Sequence, residues 1–116
     1  MVVRLLERDE VGQVLFALCD PTRRDIVARV LRQAESVSAL ADRYAMSFAA
    51  VQRHVAVLEH AGLISKQSQG RERLVHGRPE ALRLAARLLA EYEEIWRGRV
   101  ARMEDLLALP TQGDNA

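Results

Sequence analysis

At 116 residues, 49% of them apolar and 28% charged, the chain is sized for one domain, or one domain with a helical extension. Its single cysteine, Cys19, excludes an intramolecular disulfide scaffold, and no uncharged apolar stretch approaches the roughly 18 residues of a membrane span. Net charge is only +1 but unevenly placed: residues 43–78 carry Arg43, Arg53, Lys66, Arg71, Arg73 and Arg78 against Glu59 and Glu72, while both flanking segments are mildly acidic. One basic segment between two acidic ones fits a localised phosphate-binding surface, although a solvated charged face would look the same by charge alone. The first ten residues mix acids and bases and are not expected to be a signal peptide, so a soluble, cytoplasmic protein is expected.

In chain order, residues 3–18 place Leu5, Leu6, Val11, Val14, Leu15 and Leu18 close to one helical stripe. Asp20-Pro21 then supplies an N-cap and a first-turn proline, so a second helix is predicted, with Ile26, Val27, Val30 and Leu31 on its buried face. A short third helix is predicted over Val37–Tyr44, with Ser36 as N-cap and Val37, Leu40 and Ala41 inward. After a brief turn at Ala45-Met46, Ser47 caps a fourth helix over Phe48–Ala61, striped by Val51, Val55 and Leu58. Gly62 is its expected C′ residue. Residues 63–67 and 72–76 read as two short strands joined through Ser68-Gln-Gly70-Arg, a hairpin with glycine at its tip. Pro79 opens a long helix with no breaker before Pro110, and residues 110–116 read as a disordered tail after a domain over 1–109. The predicted fold is mainly α with a small β-hairpin: a winged helix-turn-helix followed by a long C-terminal dimerisation helix.

Helix 47–61 is the candidate reader of double-stranded DNA. Its outward face near the N-terminus is Ser47, Phe48, Ala49, Gln52 and Arg53. Small residues there let the backbone approach a major groove, while Gln can bond adenine and Arg guanine in two places each. The helix N-terminus and the Ser47 hydroxyl suit a phosphate oxygen. The 63–77 hairpin is the candidate wing, with Lys66, Arg71 and Arg73 beside a minor groove of strongly negative potential. On the long helix, Leu82, Ala85, Leu89, Tyr92 and Trp96 form a coiled-coil-like seam, and Leu84, Leu88 and Ile95 flank it. A helix apolar on two faces needs two partners, so Leu89, Tyr92 and Trp96 are expected at a homodimer interface. Cys19, between Leu18 and Asp20, is expected to pack in the core rather than act as a redox switch.

The stretches Asp20-Pro-Thr-Arg-Arg-Asp-Ile-Val-Ala-Arg-Val-Leu, Ser36-Val-Ser-Ala-Leu-Ala and Met46-Ser-Phe-Ala-Ala-Val-Gln-Arg-His-Val-Ala-Val-Leu-Glu-His-Ala-Gly-Leu-Ile resemble the ArsR/SmtB-type winged-helix repressors. The resemblance covers roughly residues 11–108 and is most specific from Ser47 to Ile64. It implies an obligate dimer, a palindromic operator and repression usually relieved by an effector. His54 matches the family's Arg-His pair, and a helix-packing or phosphate-side role is expected for it rather than metal ligation. Metal-sensing members often carry Cys-x-Cys where this chain has Ser36 and Ser38, whose hydroxyls are poor substitutes for thiolates. No histidine follows His76, so the family's other zinc site, on the last helix, cannot be built in the usual way. No metal and no cofactor is therefore expected, and a controlling small molecule, if there is one, is of unknown kind. No catalytic motif is present and an enzyme is not expected. Two other readings are a winged-helix protein-interaction or dimerisation module without specific DNA binding, and a detached dimerisation domain of a methyltransferase lacking its cofactor-binding half.

Overall fold

The structure, a computed structural model, describes residues 9–108. The elements are α1 (Glu10–Ala17), α2 (Pro21–Arg32), β1 (Glu35–Ser36), α3 (Val37–Ala41), α4 (Phe48–His60), β2 (Ile64–Gln69), β3 (Glu72–Gly77) and α5 (Pro79–Ala108). The fold class is the expected one, mainly helical with a small antiparallel sheet. The helical turns expected over residues 3–8 and the tail expected at 110–116 lie outside the described residues. The chain divides after Ala85 into two compact units.

In the first unit the helix starts follow their caps. The Asp20 carboxylate accepts the Arg23 backbone N–H at 3.0 Å, Ser36 Oγ accepts that of Ala39 at 3.0 Å, and Ser47 Oγ accepts that of Ala50 at 3.1 Å. Each satisfies a donor that the first helical turn leaves orphaned. At the other end of α4, Gly62 N–H donates to the Glu59 carbonyl and Leu63 N–H to that of Leu58, both at 3.0 Å. These are the two bonds of a Schellman stop, with Gly62 at φ 80° and both Leu58 and Leu63 fully buried. The core unites Ile26, Val27 and Val30 of α2, Val37 and Leu40 of α3, Val51, Val55 and Leu58 of α4, and Val75 at the centre of the sheet. Ala85 closes it, with Leu82 packed alongside.

The sheet has a strand that the sequence pattern does not announce. Its order is β1-β3-β2, with Glu35 opposite Val75 and Ser36 opposite Leu74. Two residues are too few to show an alternating pattern, and Ser36 ends the strand and caps α3 at once. The hairpin tip is also tighter than expected. Gln69 pairs with Glu72, leaving only Gly70-Arg71 as the loop. Gly70 has φ 64° and Arg71 a negative φ, as in a type II′ turn with glycine first.

Four further expectations need correction. Helix α3 ends at Ala41 rather than Tyr44, because the Arg43 and Tyr44 N–H groups bond three residues back, to Leu40 and Ala41, and close the helix. Tyr44 then reaches back to α2, where its hydroxyl donates to Asp25 at 2.6 Å. Leu15 and Leu31 are 37% and 42% exposed, at the margins of their stripes. Cys19 is exposed, not in the core. Helix α1 has already ended, the Cys19 N–H bonds the Phe16 carbonyl, and the chain is turning into the α2 cap.

The second unit contains the helical run of α5 after Ala85. Within it Leu89, Tyr92, Ile95 and Trp96 are all more than half exposed on the single chain, and Arg99 lies over the Trp96 ring at 5.9 Å. No helix among the described residues is long and apolar enough to cross a membrane.

Candidate nucleic-acid interface

Helices α3 and α4, joined by residues 42–47, are the helix-turn-helix, and β2–β3 is the wing beside it. Burial of Val51, Val55 and Leu58 fixes which side of α4 faces out. Ser47, Phe48, Ala49, Gln52 and Arg53 are all exposed, as their spacing predicts. Phe48 and Gln52, one turn apart, line a cavity of about 250 Å³ together with Lys66, Arg71 and Arg73 of the wing. Thus two residues of the helix and all three wing cations singled out in the sequence converge on one concave surface. Ser47, Ala49 and Arg53 lie on the exposed helix outside that cavity. The Ser47 oxygen is occupied by its own helix, but its O–H proton remains available to a phosphate.

His54 has a different place. Its Nδ1 lies 3.3 Å from the Arg23 guanidinium and 3.9 Å from the Asp20 carboxylate. A guanidinium only donates, so a neutral ring accepts at Nδ1, whereas a protonated ring faces the Asp20 carboxylate as an ion pair. Arg23 also donates to the Ala17 carbonyl at 2.6 Å and to that of Phe16 at 3.2 Å, with its guanidinium over the Phe16 ring. One side chain therefore ties the end of α1 to the flank of α4. The Asp20 carboxyl is held below its usual range chiefly by the Arg23 backbone N–H, against burial, with lesser help from His54 and the Arg23 guanidinium. The sequence reading of Asp20-Pro-Thr-Arg as a helix start missed this second use of Arg23. A long cation just inside a cap is a weak signal, because only the tertiary fold brings His54 to it.

The basic segment is also less uniform than its sequence. Arg43 is tied to Glu35 at 2.6 Å, Lys66 lies 3.5 Å from Glu59 of α4, and Arg78 donates to the Ser65 hydroxyl. Arg53, Arg71 and Arg73 make no ion pair among the described residues. These three exposed guanidiniums, two on the wing beside Glu72 and one on α4, are free of ion pairs among the described residues and so are available to an external polyanion. Ser36 and Ser38 also line the cavity.

Residues 18–67 match the family model described as a helix-turn-helix domain. A solved ArsR family transcriptional regulator is 32% identical, with 77% of this chain and 92% of that one covered and a TM-score of 0.73. An ArsR-like transcriptional regulator from Rhodococcus sp. RHA1 is 31% identical, with 84% and 92% covered and a TM-score of 0.72. This chain belongs to the ArsR family of transcriptional regulators. The homodimeric winged helix-turn-helix DNA-binding domain Mb0332 from Mycobacterium bovis shares its fold, at 22% identity, with 79% and 84% covered and a TM-score of 0.61. No curated protein matches the chain. As an ArsR-family member it is a DNA-binding transcriptional regulator.

Proposed function

We propose that this ArsR-family regulator represses transcription as a cytoplasmic homodimer on a palindromic operator, with residues 1–109 acting as one functional domain. Helix α4 enters the major groove, where Gln52 and Arg53 contact base edges and Ser47, Phe48 and Ala49 make the close approach. The 63–77 hairpin lies alongside, with Arg71 and Arg73 on phosphates or in the minor groove and Lys66 in a lesser role. His54 acts indirectly, by packing α4 against Arg23. The observation that carries this reading is the convergence of Phe48 and Gln52 with Arg71 and Arg73 on one concave, cationic surface. Leu89, Tyr92 and Trp96 are the core of the dimer contact, which accounts for an apolar strip that a single chain leaves more than half exposed.

Control of this repressor does not use the family's usual metal sites, since Ser36 and Ser38 replace the thiolates. Its effector is a non-metallic small molecule, or else occupancy of the operator is set by protein concentration alone.

The test is selection of bound sites from random duplex DNA, followed by titration of the selected site at several salt concentrations. The reading predicts an inverted repeat and an affinity that falls steeply with salt, as phosphate contacts release counterions. Recovery of no preferred sequence, with little salt dependence, would instead indicate a protein-interaction module.

A further inference from the structure

We propose that Phe48 determines sequence specificity by contacting the C5-methyl group of a thymine, within about two base pairs of an adenine read by Gln52. The inference rests on α4 being the DNA-reading helix and names what part of the half-site it reads.

Phe48 is the first residue of α4 after its Ser47 cap, and it is 48% exposed. The core does not need it, because Val51, Val55 and Leu58 already fill the inward stripe. A scattered exposed apolar residue ordinarily calls for no explanation. This one lines a cavity with the buried Val37 and Val55, but its exposed part shares that cavity with Gln52, Lys66, Arg71, Glu72 and Arg73. Against phosphate or a polar base edge, a phenyl ring would strip water without returning a hydrogen bond. The major groove offers one apolar feature that a phenyl group can meet without that penalty, the thymine methyl. Gln52 is four residues on, on the same exposed flank, and its amide can donate to adenine N7 and accept from N6. The α-helical pitch of about 5.4 Å, set against a base rise of about 3.4 Å, puts the two side chains within about two base pairs of each other. Together they select A·T-containing steps on one side of each half-site.

The test uses the full chain and its selected operator, with each thymine replaced singly by uracil, which removes only the methyl. Dissociation constants are measured for wild type, Phe48→Ala, Phe48→Leu and Gln52→Ala. One thymine per half-site should be sensitive, with its replacement weakening wild-type binding by about fourfold, the value of one methyl group withdrawn from water. Phe48→Ala should bind the thymine and uracil forms equally, while Phe48→Leu should keep part of the discrimination. A merely structural role at the start of α4 would weaken both forms alike and leave the discrimination intact in Phe48→Ala, which would overturn the proposal. So would an operator without a methyl-sensitive thymine. Failure of the underlying reading is distinguishable, because Gln52→Ala would then leave the affinity for the unmodified operator unchanged.

Discussion

Lys66 and Arg71 stand on the same hairpin in different electrostatic company. Lys66 is half-buried beside Glu59, whereas Arg71 is exposed at the turn and unpaired among the described residues. Arg71→Ala and Arg73→Ala should each weaken binding to all sequences and lower the logarithmic salt slope by about one for each phosphate no longer neutralised. Lys66→Ala should change it by less, because Glu59 already neutralises part of its charge. Gln52→Ala and Arg53→Ala should instead relax preference at particular base pairs, each costing about 1–3 kcal/mol at its site. Binding titrations against the operator and its point variants separate the two classes, and a larger shift in sequence preference from the wing variants would reverse the assignment. Tyr44 makes a second prediction. Burial, and then its bond to Asp25, push its phenol up to about 12 from an ordinary 10.0, while Asp25 is lowered, first by that same bond and then by Arg29. The fold favours the protonated phenol, so this contribution to stability is complete below pH 10 and is lost as pH rises toward 12. Phenolate absorbance should show a phase near 12 that Tyr44→Phe abolishes; its absence from wild type would mean that the Asp25 bond is not held. At this scale the outward residues of α4 were legible because they are local to one helix. The Tyr44–Asp25 and Arg23–His54 pairs were not, since each joins residues far apart in sequence.

Helix α4 and the wing owe their positions to short local devices. The Ser47 cap and the Gly62 stop are both visible in the sequence, as residue types with known places at helix ends, so the bounds of α4 could be read closely. The wing could be read as a hairpin, but not its attachment to the body. That depends on β1 pairing with β3, and on the end of β3 approaching α2. Gly77 marks the approach: a Cβ there would lie 2.7 Å from the Leu31 side chain and 3.0 Å from its Cα. Backbone cannot yield as a side-chain tip can, so Gly77→Ala should destabilise the fold by about 1–3 kcal/mol. At the other end of the strand the space around Gly70 is open. Gly70→Ala should therefore cost only the strain of a left-handed residue, about 1–2 kcal/mol, without moving the wing's base. Urea denaturation measures both. A Gly77→Ala protein as stable as wild type would show that β3 and α2 do not pack this closely.

At the scale of the whole molecule, the proposed dimer contact rests on what one chain leaves uncovered. In the unit after Ala85, Leu89 and Trp96 are 54% and 58% exposed, at positions where the sequence seam continues beyond buried Ala85. Burying each large apolar side chain in a partner contributes about 1.5–3 kcal/mol, so Leu89→Glu with Trp96→Glu should raise the dimer dissociation constant by more than about a hundredfold. Sedimentation should then find monomers at micromolar concentration, with operator affinity abolished although helix content is retained. The seam itself was legible from its three-four spacing. Its division between a core position at Ala85 and an open strip from Leu89 was not, because spacing does not say where one partner ends and another begins. The most direct test of dimeric operator binding is the stoichiometry and footprint of the protein on its selected operator. Two chains per duplex should protect two half-sites related by a two-fold axis, their centres about 34–36 Å or a small multiple apart. A single chain saturating the duplex over one asymmetric half-site would contradict it.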